Sequence, residues 1–486
     1  MQLAKSRAPH GFVGNLEVAS EGSQTFEVLG GADGRPLGRC PLAHPRDVDK
    51  AVAAARRAAR RPPPKAERAR LLEQLARAVE RASEDLCIQT CLETGRSYRD
   101  VLGEDIEPAV RTLRYAAALT QTQRGSALDL GGGVRARVEP VPARVHASVL
   151  PVAEALGAAL RKLAFATALG QSLVLLAPRE APLGVLELAN LFKDAGGRAG
   201  AFNVLFGGKE AFTPLLAHPD VDLSSFAGPR EEARRVLVGV AKSTLRPVQL
   251  ELASPAVAVL LEEGDVEVAV DEVWRSGLAS SSQLDRSVRR FLVHRDRFTE
   301  ACDRLTRRAR ATVLGHPLDE HTDLGPLASE ARMKRVLAYV ELGRREGATL
   351  VAGGGRDVEG SRFDGWYVRP TLFLDPPPEA RIAREPIEGP VVTLEPFSDE
   401  DELVKRAATS WGRGAALICG SSDRALELGE RLDVGQVFVN GPLKRHPSLP
   451  HADAGELSAP LLGVEGLHAL TEPRTLVVYP EEPKLR

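Results

Sequence analysis

The polar stretch SSSQLDRSVRR, from Ser280 to Arg290, has the residue types of an active-site turn. It places Gln283, Asp285 and Arg290 between a helical pattern and the apolar, strand-like segment FLVH. Functional side chains are often carried on such loops, because the elements on either side hold them in place. The turn contains no cysteine, so its candidate for chemistry is the carboxylate of Asp285.

The cysteines and histidines do not form a metal-binding pattern. The cysteines match no metal-ligand spacing, and two of them lie four residues apart, as buried neighbours on one helix face often do. The histidines are scattered along the chain. We therefore predict no metal site, and reduced structural thiols of the kind found in the cytoplasm. These residues are Cys40, Cys87, Cys91, Cys302 and Cys419, with His146, His294, His446, His451 and His468.

Composition describes a protein of two or three domains that binds neither nucleic acid nor membranes. The chain has 486 residues, 43% hydrophobic and 27% charged, with a formal net charge of −2, which provides no broad basic field for phosphate backbones. No apolar run is long enough to span a bilayer, and the start lacks the apolar core of a signal peptide. The segment from Arg56 to Arg70 is locally arginine-rich, which we interpret as a solvated helix face in preference to a binding patch.

The hydrophobic pattern predicts an α/β fold with two lobes. Helical spacing dominates up to Gly95, after which strand-like segments such as ARVHASVLP, SLVLLAP and AFNVLFG alternate with helices. A second series runs from AVAVLLEE to TLVVYP. Buried strands separated by crossover helices form parallel sheets. No strand-to-helix turn carries GxGxxG, so the ordinary dinucleotide-binding signature is absent.

The order of the segments resembles the aldehyde dehydrogenase superfamily from about Pro41 to the end of the chain. Each matching piece is weak alone, but a dozen occur in the family's order. The pieces include DVDKAVAAAR, ERARLLEQLA, KDAGGRAGAFNVLFG, TDLGPLAS, YVRPTLF, EPIEGPVV, VGQVFVNG and GVEGLHALTEPRTLVV.

This resemblance implies a mechanism whose nucleophile the chain lacks. Members of the family oxidise aldehydes through a cysteine thiolate, pass hydride to NAD or NADP, and use a glutamate to activate water. Here Glu251 of ELASP occupies the glutamate position, and Asp285, 34 residues later, occupies the position of the cysteine. We therefore predict a divergent member without the catalytic cysteine.

The positions that hold the cofactor in the family have changed as well, and we expect no cofactor to bind. Gly228 remains in the segment that receives the pyrophosphate. Ala153 replaces the asparagine that donates to the oxyanion, and His451 stands at an aromatic position. The replaced cofactor positions are Leu176, Arg179, Pro229, Ala233, Pro386 and Glu388.

Three hypotheses for function follow. The first is a protein inactive as an aldehyde dehydrogenase, acting as a scaffold or regulatory subunit. The second is an enzyme of non-redox chemistry in which Glu251 and Asp285 face each other in the inherited pocket, where one raised pKa would suit acid–base work. Arg286, Arg289 and Arg290 weaken it, because they lie close enough in sequence to neutralise either carboxylate. The third is an atypical NAD(P)-dependent aldehyde oxidoreductase.

The resemblance also implies domains and assembly. A cofactor-type domain is expected from residues 1–118, 142–246 and 436–465, and a catalytic-type domain from 247–435. Residues 119–141 and 466–486 are expected to form an oligomerisation arm, in which RARVEP and TLVVYP are strands. Their apolar edges predict a homodimer or a tetramer of dimers, with a protein partner also open.

Overall fold

The computed structural model describes residues 10–122, 124–408, 414–451 and 458–480. None of the helices in these ranges is both long enough and apolar enough to cross a bilayer. The helices are α1 (Pro45–Ala59), α2 (Lys65–Arg81), α3 (Ser83–Thr94), α4 (Tyr98–Asp100), α5 (Glu107–Thr122), α6 (Ala155–Leu169), α7 (Leu183–Asp194), α8 (Lys209–Leu216), α9 (Arg230–Ser243), α10 (Val266–Val273), α11 (Arg295–Ala311), α12 (Glu330–Arg345), α13 (Arg381–Arg384), α14 (Glu400–Ala407), α15 (Ser422–Arg431) and α16 (Gly463–His468).

The strands make up four sheets. They are β1 (Gly11–Val13), β2 (Leu16–Val18), β3 (Thr25–Leu29), β4 (Pro36–Pro41), β5 (Ser126–Asp129), β6 (Arg135–Pro142), β7 (Val145–Val149), β8 (Ser172–Pro178), β9 (Phe202–Gly207), β10 (Leu223–Gly228), β11 (Val248–Leu252), β12 (Ala256–Leu260), β13 (Val288–His294), β14 (Thr349–Ala352), β15 (Thr371–Leu374), β16 (Val391–Phe397), β17 (Ala415–Cys419), β18 (Gln436–Val439) and β19 (Thr471–Val478). Strands β3 and β4 form a small antiparallel pair of their own.

The first sheet has the order β11-β10-β7-β8-β9-β1-β2, in which β7 to β11 pair in parallel. Alternate residues of β8 enter different cores. Leu173 and Leu175 join the core with α2, α5, α6 and α7, whereas Val174 and Leu176 join the core with α1, α8 and α9. A strand covered on both faces needs apolar residues at every position, which explains SLVLLAP.

The second sheet follows the same plan, in the order β14-β15-β16-β13-β12-β17-β18. Only the edge strand β14 runs antiparallel to its neighbour. Ala258 and Leu260 of β12 pack towards α10 and α11, while Val257 and Val259 pack towards α14 and α15. The predicted α/β class with two Rossmann-like lobes is therefore confirmed.

The third sheet is antiparallel, in the order β19-β6-β5. The predicted strands RARVEP and TLVVYP pair with each other over eight positions, from Thr471 opposite Pro142 to Val478 opposite Arg135. The outer edge of β19 carries no strand from the described part of this chain. Leu476, Val477 and Val478 on β19 are exposed there.

Two strands lie in a different sheet from the one that the expected domain boundaries gave them. Strand β11, inside the expected range 247–435, pairs with β10 in the first sheet. Strand β18, inside the expected range 436–465, pairs with β17 in the second sheet. The arm boundary at 119 also falls within α5. The alternation of strands and helices predicts that a strand exists but not which sheet it joins, so these boundaries stay proposals. Residues 1–9, 123, 452–457 and 481–486 of the expected domains and arm lie outside the described residues.

Two π-helical turns interrupt the helices near the Asp285 loop. One covers Val101–Ile106 before α5, and the other covers Trp274–Leu278 after α10. Such turns widen the helix and redirect side chains, and they are frequent at functional sites. Here they carry the charged residues Glu104, Asp105 and Arg275.

Candidate functional site: a buried charge network beside Asp285

Gln283 fixes the position of the loop. It lies in the short 3₁₀ turn that precedes Asp285, and its side chain is buried. Its Nε2 donates to the carbonyl oxygens of Thr94, at 3.0 Å, and Pro326, at 3.1 Å. Its Oε1 accepts from the amide of Ala328 at 3.1 Å. The glutamine of the motif therefore connects three chain segments, so its role is structural.

Asp285 lies beside a guanidinium from a distant part of the chain. The carboxylate is 3.7 Å from Nη2 of Arg445, and its side chain is 25% exposed. The sequence suggested that Arg286, Arg289 and Arg290 could neutralise either Asp285 or Glu251. Among these, Arg289 donates to the carbonyl oxygen of Gly389 at 2.7 Å.

Arg290 and Arg286 also bind other partners. Arg290 pairs with Glu395 at 2.6 Å. Arg286 pairs with Glu104 at 2.7 Å and contacts Glu154 at 3.3 Å. Although burial lowers the pKa of Arg286, Glu154, Glu104 and Asp285 raise it above its ordinary value. The long-range contact with Arg445 has no signal in the local sequence.

Glu154 is the centre of a buried ionic network. It occupies the residue before α6 without a side-chain capping bond, and it accepts from Arg161 at 2.9 Å and from Arg445 at 2.6 Å, besides its contact with Arg286. Burial opposes ionisation of this carboxyl, but the three guanidiniums outweigh that effect and hold the pKa of Glu154 well below its usual range. Glu154 is therefore charged and committed to three cations.

The network extends into both π-helical turns. Glu104 also contacts Arg275 at 3.2 Å, and Arg275 pairs with Glu272 at 2.6 Å. Arg96 and Asp105, both fully buried, pair at 2.8 Å. The carboxylates and guanidiniums balance in number, as buried charges must if they are to offset their loss of hydration. They are Glu104, Asp105, Glu154, Glu272 and Asp285, with Arg96, Arg161, Arg275, Arg286 and Arg445.

Ala153 and His451, the other two candidate site residues of this region, also contact the network. Ala153 has no side-chain donor, and its carbonyl oxygen accepts from Nη1 of Arg96 at 3.0 Å. His451 is buried; its Nδ1 lies 2.6 Å from Oε1 of Gln436, and its Nε2 lies 3.3 Å from Arg445. His451 thus connects β18 to the cation next to Asp285. Of the segment PHADAGELSAP, residues 452–457 lie outside the described residues.

Glu251 has a different environment. It lies on β11, buried, and forms an ion pair with Lys162 of α6. Lys162 also donates to Oγ of Ser225 at 3.1 Å, and Ser225 lies 2.9 Å from Nε2 of His146. Burial and the nearby ammonium of Lys162 lower the pKa of His146 to about 3, so this histidine is neutral. A cavity of about 30 Å³ adjoins the cluster, with room for a water molecule or two.

Glu251 and Asp285 are therefore placed in separate ion pairs, the first with Lys162 and the second with Arg445. The non-redox hypothesis requires two facing carboxylates, one of which becomes protonated because the other repels it. The structure gives each of these carboxylates a cation of its own, which weakens the mutual repulsion on which the hypothesis depends. The carboxylate dyad therefore stays a prediction.

The ribose-binding positions of the family carry residues that cannot serve that purpose here. Leu176 is 1% exposed and packs into the core of the first sheet, so it presents no polar group. Arg179 pairs with Glu210 at 2.7 Å, and its guanidinium lies 5.7 Å from the centre of the Phe26 ring. Its charge is thereby neutralised at the surface.

The position expected to receive pyrophosphate is altered at the start of α9. Gly228 ends β10 with φ +157°, and a Cβ there would meet the Phe226 ring at 2.9 Å, so the glycine has a steric reason to remain. Pro229 precedes the helix and has no N–H to donate. Ala233 is buried, and Glu231 and Glu232 occupy the first turn, where carboxylates disfavour a bound anion.

The positions that flank the nicotinamide ribose in the family, Pro386 and Glu388 here, also make contacts within the protein. Glu388 pairs with Arg332 at 2.7 Å. Pro386 is partly exposed, and the turn that contains both residues accepts from Arg289 through Gly389. The residues at the family's cofactor positions therefore do not fit a dinucleotide.

None of the five cysteines has the properties of a nucleophile. All five lie within the described residues; Cys302 is partly exposed on α11, and the other four are buried. Burial raises the pKa of each thiol above its ordinary value. Reactive cysteines have a lowered pKa, so these are structural thiols.

Sequence reasoning missed most of the network. Glu104, Asp105, Glu154 and Arg445 were not singled out, although Glu154, Arg161 and Lys162 are charged residues in and beside an otherwise apolar helix. Charges inside a fully buried helical pattern indicate buried ion pairs, and that signal was available. The distant partners of Glu154 were not, since Arg286 and Arg445 lie 132 and 291 residues away.

Comparisons with known protein families, sequences and structures all match this chain to aldehyde dehydrogenases. The "Aldehyde dehydrogenase family" pattern matches residues 18–456. The chain is 33% identical over 436 residues to an aldehyde dehydrogenase of Enchytraeus buchholzi, covering 88% of this chain and 87% of that protein. It is 31% identical over 464 residues to a mitochondrial aldehyde dehydrogenase of Leishmania tarentolae, covering 94% and 92%. An NAD+ complex of aldehyde dehydrogenase from Bacillus cereus superposes with a TM-score of 0.93 at 29% identity, covering 97% of each chain.

Proposed function

The chain belongs to the aldehyde dehydrogenase family, and we propose that it is a member that does not oxidise aldehydes and acts as a scaffold or regulatory subunit. The observation that carries this proposal is the environment of Asp285. The residue at the nucleophile position is a carboxylate beside Arg445, within a network in which buried carboxylates and guanidiniums balance.

A carboxylate in that position cannot carry out the family's first step efficiently. Thiolate attack on an aldehyde forms a hemithioacetal from which hydride can leave. Attack by a carboxylate would form a mixed ester-acetal, which is short-lived. The five thiols of the chain lie elsewhere and have raised pKa values, so none of them supplies a substitute nucleophile.

The former cofactor positions support the same proposal. The relative from Bacillus cereus was solved as an NAD+ complex. In this chain Arg179 and Glu388 are engaged with Glu210 and Arg332, and Pro229 removes an N–H at the start of α9. A dinucleotide would have to break these ion pairs and would gain few new contacts. We therefore propose that neither NAD nor NADP binds.

The two enzymatic alternatives have less support. The non-redox alternative needs Glu251 and Asp285 as a facing pair, and each is matched by its own cation. The atypical oxidoreductase alternative needs a cofactor site, but Arg179 and Glu388 at the former cofactor positions are paired with Glu210 and Arg332. A scaffold needs only a stable fold and a surface for association.

Assembly is part of the proposal. The exposed apolar residues of β19 lie on a free sheet edge, and such an edge favours pairing with a second copy. We propose a homodimer or a tetramer of dimers, to which a protein partner can bind. Light scattering at micromolar concentration should give a mass above that of a monomer, and a clean monomer mass would contradict this part.

Calorimetric titration of the purified protein with NAD and NADP tests the main proposal. We expect no saturable binding at cofactor concentrations up to about 1 mM. A dissociation constant of that size corresponds to a binding free energy of only about 4 kcal/mol. A parallel assay with aliphatic and aromatic aldehydes should give no NADH above the buffer control. A micromolar dissociation constant, or turnover that is lost in Asp285→Ala, would overturn the proposal.

A further inference from the structure

An arginine-rich cleft lies where the first sheet meets the three-stranded sheet. Its volume is about 870 Å³, within the range of small-molecule sites. Arg56, Arg57 and Arg60 at the end of α1 line one wall, and Arg144 and Arg246 line the other side. Only the first three belong to the arginine-rich segment of the sequence, so the fold has added two cations from distant positions.

One of these arginines is fixed by a partly buried carboxylate. Arg56 donates to both oxygens of Asp222, at 2.7 and 2.9 Å. Asp222 also accepts from the amides of Arg144, at 3.2 Å, and Val145, at 2.9 Å. This aspartate is thereby fully satisfied and contributes little negative charge to the cleft.

The other arginines are available to a ligand. Among the described residues, no carboxylate lies within ion-pair distance of Arg57, Arg60 or Arg144, whereas Arg246 is 3.9 Å from Asp222 and 48% exposed. The remaining acids of the cleft are Asp220, which is 64% exposed, and Glu472. Guanidiniums gathered around one concave surface repel each other and attract counter-charge.

We infer that this cleft binds a compact polyanion that carries two or more phosphate or carboxylate groups. The planar fork of arginine recognises both groups through paired hydrogen bonds, and several forks from different walls suit a ligand with several such groups. The lining contains no aromatic side chain on which a nucleobase could stack, which favours a compact ligand over a nucleotide. The cleft shares no residue with the network around Asp285, so the inference is independent of the proposed function.

Calorimetry on the full-length protein with inorganic tripolyphosphate and with citrate tests the inference. We expect saturable binding to at least one of them at low salt. Binding to tripolyphosphate alone identifies a phosphate ligand, binding to citrate alone a carboxylate ligand, and binding to both a general polyanion site. Arg57→Ala/Arg60→Ala should weaken binding about tenfold or more, because two charge-assisted contacts are lost.

Arg70→Ala/Arg77→Ala is the matched control, since it removes the same charge from exposed positions on α2. It should change the dissociation constant by less than about twofold. All the substituted arginines are exposed, so a thermal melt should show that each variant folds. Absence of binding to both anions, or equal weakening in the control variant, would overturn the inference.

Discussion

The network around Asp285 and the arginine cleft are two strongly charged regions with opposite properties. In the network, buried carboxylates and guanidiniums are equal in number and paired with each other at distances such as 2.6 to 2.9 Å. In the cleft, exposed guanidiniums outnumber the carboxylates, and three lack a described ion-pair partner. Burial imposes this difference, because an unpaired charge is costly in the interior and inexpensive in water.

This difference indicates what each region does. The charges of the paired region bind one another, so this region stabilises the fold. The unpaired region retains charge that a ligand can use. Substitutions in the network should therefore change stability, and substitutions in the cleft should change binding.

The largest effect is expected for Glu154→Gln. The amide keeps the shape of the side chain but removes the charge, and Arg161, Arg286 and Arg445 lose their shared partner. Breaking a buried ion pair from one side costs about 3–5 kcal/mol. Thermal melting or denaturant titration should show this loss, while Glu187→Gln, at an exposed position on α7, should stay within about 0.5 kcal/mol. Equal stability of the two variants would show that the network is not structural.

A matched pair of variants tests at Arg96 whether an unpaired buried charge is what destabilises the fold. Arg96→Met leaves Asp105 buried without its cation and should cost about 3–5 kcal/mol, whereas Arg96→Met/Asp105→Leu should recover most of that loss, because no unpaired charge remains. Both partners are fully buried, which makes the comparison clean. If the double variant were less stable than the single one, the cost would lie in packing and not in charge.

The hydrophobic pattern of the sequence predicted the α/β architecture. It did not predict the buried ion pairs around Glu154. Segments such as SLVLLAP and AVAVLLEE predict buried parallel strands because every residue must be apolar, and this local rule is sufficient. The ion pairs of Glu154 depend on Arg286 and Arg445, which are brought close only by the fold. Local composition therefore pointed to Asp285 and its neighbouring arginines but not to the contact with Arg445.

Acid should weaken the protein through the same network. The guanidiniums hold the pKa of Glu154 and of Glu104 below the ordinary value of 4.5, against the effect of burial. A lowered folded-state pKa contributes stability that is present above pH 4.5 and is lost as the pH falls through the folded value. Burial raises the pKa of Asp105 to about 6. Protonation of Asp105 therefore adds stability as the pH falls from 6 to 3.8, which is the opposite of the effect of Glu154 and Glu104.

Melting temperatures measured from pH 7 to pH 3 should therefore fall mainly below about pH 4.5. In Glu154→Gln this acid-induced fall should be smaller, because one of the two lowered carboxyls is absent. An unchanged pH profile in that variant would contradict the role given to Glu154.

A small effect on stability is expected for Asp285→Ala. Its ion pair with Arg445 is 3.7 Å long, and the carboxylate is partly exposed to solvent. The loss should be about 1 kcal/mol or less after solvent screening. Arg445→Ala should cost clearly more, because Arg445 also holds Glu154 at 2.6 Å. The reverse order of the two variants in thermal melts would mean that Asp285 is a main anchor of the network.

The measurement that tests the central claim most directly is aldehyde-dependent NADH formation by Asp285→Cys, beside Asp285→Ser as the control. The variant restores a thiol at the nucleophile position, but Ala153 offers no oxyanion donor from its side chain, and the cofactor positions are occupied by protein contacts. We expect a rate more than about a hundredfold below that of an active family member, and no difference from the control. Robust NADH production by Asp285→Cys would show that a working cofactor site lies behind a single lost nucleophile, and would contradict the account.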